Sequence, residues 1–305
     1  MIKGPLADKT EQLLEENGWV TARYHGCFDI AAKKRQTILV KILQNIDALS
    51  AEQAKNLRII AESVGGSALL VGEQTRIERL KDGTVYERFE IPTVNFSTFE
   101  RLITEGVMPS IYRDKGGLYV RVDSEALREA RGEKGLTQRE LAELVGVNKK
   151  SIYEHERNEL RMAIRIAEKL EDALGRKLVK EIDVIRKIVT PQENGPKDVL
   201  EKDVGGKLRR IGFDVKYVGS APFDILAKEK ALLLSDVEAD KRKLLKRAPA
   251  LSGFAAVTQK PALLITEKIK GDELEGIPII RRSELKEMER SGDVLRAAKR
   301  VRKKD

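Results

Sequence analysis

Residues 137–157 read TQRELAELVGVNKKSIYEHER. Thr137 followed three positions later by Glu140 forms a capping box, in which hydroxyl and carboxylate each satisfy a backbone N–H left open at a helix start. Leu141, Leu144, Val145 and Ile152 then recur at helical spacing. Gly146 supplies the left-handed backbone that a tight turn needs, and Asn148 is placed to cap a second short helix. A small side chain at Ala142 lets two helices cross closely, and Ile152 fills the space beneath the second one. The spacing predicts two crossed helices, the second running from Asn148 to about Arg157. An ordinary helical hairpin is the bland alternative.

Outward from this stretch, the helical period continues through DSEALREARGEKGL before it and through Ile164 and Ile166 after it. Residues 123–174 resemble the helix-turn-helix domains of the phage repressor (Cro and lambda repressor) family. That resemblance implies a small, usually five-helix domain that pairs as a dimer and lays its second motif helix in the major groove of double-stranded DNA. It implies DNA contacts from Gln138, Arg139, Asn148, Lys149, Lys150, Ser151, Tyr153 and Arg157, through hydrogen bonds or charge to bases and phosphates. Gln138, at a helix start, suits a backbone phosphate. The sequence departs from the family where glycine is frequent near Asn158 and where Met162 replaces a common proline. Glu154 and Glu156 repel phosphate, so they are expected to select against bases or support the helix, and His155 is expected to be packed.

The whole chain has 305 residues, with 58 Lys and Arg against 49 Asp and Glu, a net charge of +9. That excess fits an anionic partner, or equally the charged surface of a heat-adapted protein. One cysteine and two histidines argue against a disulfide framework and against a Cys/His zinc site. No apolar run approaches the roughly 18 residues of a membrane span. A cytoplasmic protein without membrane association, cofactor or bound metal is the expectation.

The two ends repeat each other. Phe28-Asp29-Ile30 returns as Phe223-Asp224-Ile225, Leu69-Leu70-Val71 as Leu263-Leu264-Ile265, and Ile91-Pro92 as Ile277-Pro278, with Ser97 answered by Ser283. Each copy predicts a helix (9–17; 199–210), two strands (19–24 and 28–32; 213–218 and 223–227) and a buried third strand (37–43; 231–237). A helix (51–64; 241–248) and a fourth strand (67–71; 262–266) complete each copy. The fold class expected is a multidomain α+β chain, with two duplicated small α/β domains flanking a central all-α helix-turn-helix domain. Expected boundaries are 1–105 and 198–291 for the two copies, 106–122 for a hairpin connector that is either a lid on the helical domain or a wing on the DNA, 123–178 for the helix-turn-helix, 179–197 for a linker centred on 192–196, and 292–305 for a basic tail.

Helix, strands, aspartate and buried strand together resemble the opening of the PD-(D/E)xK nuclease superfamily. Such enzymes need an aspartate plus an acid two positions before a lysine, so that carboxylates hold a metal and the lysine supports the attacking water. The first copy offers Asp29 and Lys41, with Leu39 at the acid position. The second offers Asp224, with Leu234 and Asp236 at the acid and lysine positions. Neither set is complete, so no catalytic residue is expected, although Asp224, Asp236 and Glu238 could cluster. The organisation resembles archaeal HTH-type transcriptional regulators. A DNA-binding regulator is therefore the leading expectation; a nuclease guided by the helix-turn-helix, or an architectural DNA protein, is the alternative.

Overall fold

The computed structural model describes residues 4–115, 117–158, 160–189, 193–269 and 271–299. They divide into two compact units: Met1–Gly72, Arg88–Ile91 and Ile185–Asp305 make the first, Glu73–Glu87 and Pro92–Val184 the second. The chain opens with α1 (Pro5–Glu16), β1 (Val20–Arg23), β2 (Ile30–Lys33), β3 (Thr37–Asn45), α2 (Ala51–Val64) and β4 (Ser67–Gln74). Helix α1 begins four residues ahead of the sequence expectation because Pro5 occupies its first turn, where a missing N–H costs nothing. Helix α2 matches its expected span, with Ser50 and Gln53 closing a capping box and Gly65 ending it in the left-handed conformation.

The middle of the chain carries β5 (Thr84–Arg88), β6 (Ile91–Val94), α3 (Phe96–Thr104), β7 (Ile111–Asp114) and β8 (Gly117–Arg121). After them come α4 (Ser124–Glu133), α5 (Gln138–Val145), α6 (Lys149–Arg157), β9 (Arg161–Ala163) and α7 (Ile164–Leu174). The central domain is helical apart from the three residues of β9. Strand β8 pairs antiparallel with both β7 and β9, and Val120, Val122 and Met162 enter the same buried cluster as Leu127, Leu141 and Leu170. The hairpin therefore packs on the helical core. Met162, where proline is frequent, stands opposite Val120 in that ladder and is buried. Asn158 leaves α6 in the extended conformation, and the Leu160 N–H donates to its carbonyl at 2.7 Å.

The second copy contains α8 (Val199–Arg210), β10 (Asp214–Tyr217), β11 (Ile225–Lys228), β12 (Leu232–Val237), α9 (Lys241–Thr258), β13 (Ala262–Ile265), β14 (Glu273–Leu274), β15 (Ile277–Ile280), α10 (Arg282–Glu287) and α11 (Ser291–Ala297). Its strands are ordered β10-β11-β12-β13-β15-β14. Strand β12 is buried along its whole length and runs parallel to β13, which is why it opens with three successive leucines, and Ser235 and Asp236 are buried with them. The repeat survives at the level of register. Ile30 faces Val40 and Ala31 faces Leu39 in the first copy; Ile225 faces Ser235 and Leu226 faces Leu234 in the second. Even one side-chain contact recurs: Asp29 Oδ2 accepts from the Ile42 N–H at 2.7 Å and Asp224 Oδ2 from the Val237 N–H at 3.0 Å.

Helix α9 is far longer than expected, because it runs through Pro249. The ring removes a bond to the Leu245 carbonyl, but Leu245 is exposed and water can serve it. Beyond the proline, Leu251, Phe254 and Val257 are buried, and α9 packs over β1 and β2 of the other copy. Helix α2 reaches back: Asn56 Oδ1 accepts from the Gly219 N–H at 2.7 Å, and Glu62 binds Lys216 of β10 at 2.8 Å. Phe254 sits between the equivalent residues Phe28 and Phe223, with ring centroids 5.3 and 5.1 Å away. The two copies are thus packed against each other. Between them Cys27 N–H donates to the Ser220 carbonyl at 2.7 Å, and a Cβ on Gly26 would lie 2.0 Å from that oxygen. Asn194, in the expected linker, donates to Asn56 and to the Tyr217 carbonyl. Gln192 and the basic positions from Arg300 onward lie outside the described residues.

Candidate nucleic-acid interface

Each local signal in residues 137–157 produces the geometry it predicts. Thr137 and Glu140 form the reciprocal capping box that opens α5, and Gly146 ends it at φ +77°. Asn148 caps α6 by accepting from the Ser151 N–H at 2.7 Å. Ala142 and Ile152 are both buried between the crossed helices. Lys169 of α7 points its ammonium at the end of α5, where the helix dipole favours a cation.

The inner face of α6 is anchored by charge as well as packing. Glu156 is buried, its carboxylate accepting from Arg131 Nε at 2.5 Å, from a second Arg131 nitrogen at 3.1 Å and from Gln138 Nε2 at 2.7 Å. Arg131 also donates to the Leu136 carbonyl at 2.7 Å. One carboxylate therefore ties α4, α5 and α6 together, and Glu156 supports the helix. His155 packs beside it, and burial holds its pKa below the ordinary value, so the ring is neutral at pH 7. Arg131 escaped the sequence reading. Its signal was Glu156 itself, a carboxylate one helical turn from Ile152 on the buried face, where an unpaired charge is too costly to persist.

The outer face differs. Lys149, Lys150, Tyr153 and Arg157 are exposed along one side of α6. Lys149 and Lys150 have no carboxylate partner among the described residues. Arg157 hydrogen-bonds the Tyr153 hydroxyl and lies over its ring, 5.2 Å from the centroid, so the two present a joined aromatic and cationic surface. Asn148 is exposed but its side-chain oxygen is engaged in the cap. Ser151 is half-buried. Arg139 is exposed and paired with Glu143 at 2.9 Å, and Gln138 spends its amide on Glu156. The structure thus gathers the α6 residues on one face and gives Gln138 and Arg139 partners of their own.

In the nuclease-like copies the acids are occupied. Asp29 and Lys41 are buried against each other at 3.1 Å, and Lys41 also donates to the Gly26 carbonyl. Arg247 lies between Asp224, at 2.9 Å, and Asp236, at 3.1 Å, while Glu238 faces Lys243. Burial pushes the Asp236 carboxyl up to about 8. Among the described residues no three His, Cys, Asp or Glu side chains converge as a metal site. No described helix is long and apolar enough to cross a membrane.

Residues 3–109 match the model of a PD-(D/E)XK superfamily domain, and residues 127–180 that of a helix-turn-helix. Curated relatives align along nearly the whole chain. A protein of Thermococcus gammatolerans is 33% identical over 94% of this chain and 93% of its own length. One of Pyrococcus horikoshii is 34% identical over 97% of each, and one of Methanothermobacter thermautotrophicus 33% identical over 93% of this chain and 92% of its own. All three carry the provisional name of HTH-type transcriptional regulatory protein. No solved structure matches the chain. The chain belongs to this archaeal family of HTH-type transcriptional regulatory proteins, in which a helix-turn-helix is joined to a PD-(D/E)xK-like domain.

Proposed function

We propose that the protein is a sequence-specific transcriptional regulator that docks α6 in the major groove of double-stranded DNA. One observation carries this reading: the outer face of α6 presents Lys149, Lys150, Tyr153 and Arg157 to solvent, while Ile152, His155 and Glu156 lock its inner face. A helix held that way meets a duplex without reorganising, so little ordering entropy opposes binding. Lys149 and Lys150 supply phosphate or base contacts, Tyr153 and Arg157 read base edges, and Asn148 and Ser151 flank the entry. Gln138 and Arg139 reach a phosphate only by sharing or leaving Glu156 and Glu143. The names of the relatives support a regulator, and the family resemblance supports a cytoplasmic homodimer on a two-fold operator. The nuclease-like copies serve as scaffold, since Asp29 and Asp224 are already satisfied by backbone, lysine and arginine.

Selection of bound sequences from random DNA tests specificity, with one recurring motif expected. Lys149→Ala with Lys150→Ala is expected to lower the slope of log affinity against log salt by about 1.8 if both neutralise phosphates. An unchanged slope and affinity rejects this docking face. Plasmid incubated with Mg²⁺ or Mn²⁺ is expected to stay intact; cleavage abolished by Asp29→Ala would instead establish a nuclease.

A further inference from the structure

A cavity of about 660 Å³ opens where the two nuclease-like copies embrace, between the β1–β2 turn of the first and helix α9 of the second. Its volume falls in the range of sites that hold a small organic ligand. One wall carries Arg23, Tyr24 and His25, and the facing helix carries Lys243, Lys246 and Arg247. Between these polar groups the lining is apolar, from Ile30, Pro249 and Ala250. The cavity exists only because α9 continues past Pro249 and lies over β1, so neither copy alone could build it.

The charges divide into held and free. Arg247 is fixed by Asp224 and Asp236, and Arg23 by Asp8 and Glu11. Lys243 stands 3.6 Å from Glu238. Lys246 has no carboxylate partner among the described residues. The lining carboxylate, Asp29, is answered by Lys41 at 3.1 Å and by the Ile42 N–H. Burial raises the Tyr24 pKa to about 12, so its hydroxyl stays neutral and able to donate. A free ammonium, that of Lys246, and an aromatic ring beside apolar lining residues suit a ligand with a planar apolar body and an anionic end.

We propose that this cavity binds a nucleoside phosphate, its phosphate on Lys246 and its base against Tyr24 and Pro249. The site is separate from the α6 face and does not depend on its reading. Phosphate esters also occur in DNA, so the test separates the two sources. Titration calorimetry of the full chain would use AMP, ATP, adenosine, inorganic phosphate and a short duplex. AMP or ATP is expected to bind once per chain, more tightly than adenosine or phosphate alone. Lys246→Ala is expected to weaken it about tenfold, as loss of a charge-assisted contact does, whereas Lys149→Ala with Lys150→Ala should leave it unchanged. Tyr24→Leu, which keeps the apolar wall, should weaken AMP and ATP more than phosphate. The proposal is overturned if neither nucleotide binds at millimolar concentration, if Lys246→Ala has no effect on nucleotide binding, or if that substitution weakens only duplex binding.

Discussion

Replacing Arg131 with methionine removes the cation that answers Glu156. The carboxylate then keeps one donor of its three, the amide of Gln138 at 2.7 Å, and the side chain is only 4% exposed. Leaving one member of a buried ion pair unanswered costs about 3–5 kcal/mol. Arg131 is itself 18% exposed, so water can reach its place, and the lower figure of about 3 kcal/mol applies. The loss should concentrate on α4, α5 and α6, which this one carboxylate joins. Amide hydrogen exchange of those helices is the appropriate assay, because the single tryptophan, Trp19, belongs to the other unit and reports on that unit. Adding Glu156→Leu should recover most of the loss, since an apolar pair of similar volume replaces the ion pair. A loss below about 1 kcal/mol, or a double variant no better than Arg131→Met, would refute the view that this pair anchors α6.

Gly146→Ala forces an L side chain into φ +77° and should cost about 1–2 kcal/mol in the helical unit, read by the same exchange measurement. Asp236→Asn tests burial electrostatics. The folded carboxyl holds its proton up to about pH 8 against an ordinary value of 3.8, so the wild type loses stability as pH rises between those values. The variant should therefore melt increasingly above the wild type from pH 5 to pH 8, and the gap should level off beyond; a gap independent of pH rejects the assignment. Gly26→Ala should prevent the close approach to Ser220 and loosen the two copies together, seen as earlier loss of Trp19 fluorescence on urea denaturation. Phe254→Ala should do the same by about 3–5 kcal/mol.

Much of this architecture is legible in the residues, and the exceptions have definite causes. The helix-turn-helix was readable because Thr137, Gly146 and Asn148 act locally, each through its own backbone. The span of α8 and the buried third strand of each copy were readable, the strands because burial on both faces leaves a nearly continuous apolar trace. The extension of α9 was not, because proline ordinarily stops a helix and only the other copy's strands explain why this one continues. Strand β9 was hidden for a similar reason: three residues acquire strand pairing from β8, which lies far away in sequence. On the candidate site, exposure at Lys149, Lys150, Tyr153 and Arg157 was implied by the family resemblance, whereas the engagement of Gln138 with Glu156 depends on how α5 and α6 cross, which no local pattern fixes.

The mutual clasp of the duplicated halves also governs how the molecule can assemble. Folds that associate through one self-complementary patch do so with an identical neighbour, but here that patch is consumed inside a single polypeptide. Any symmetric pairing of whole chains must recruit a different surface. The halves are meanwhile free to drift apart, because a change in one is never forced on its twin; Lys41 facing Asp29 and Arg247 bridging two acids are the record of that independence.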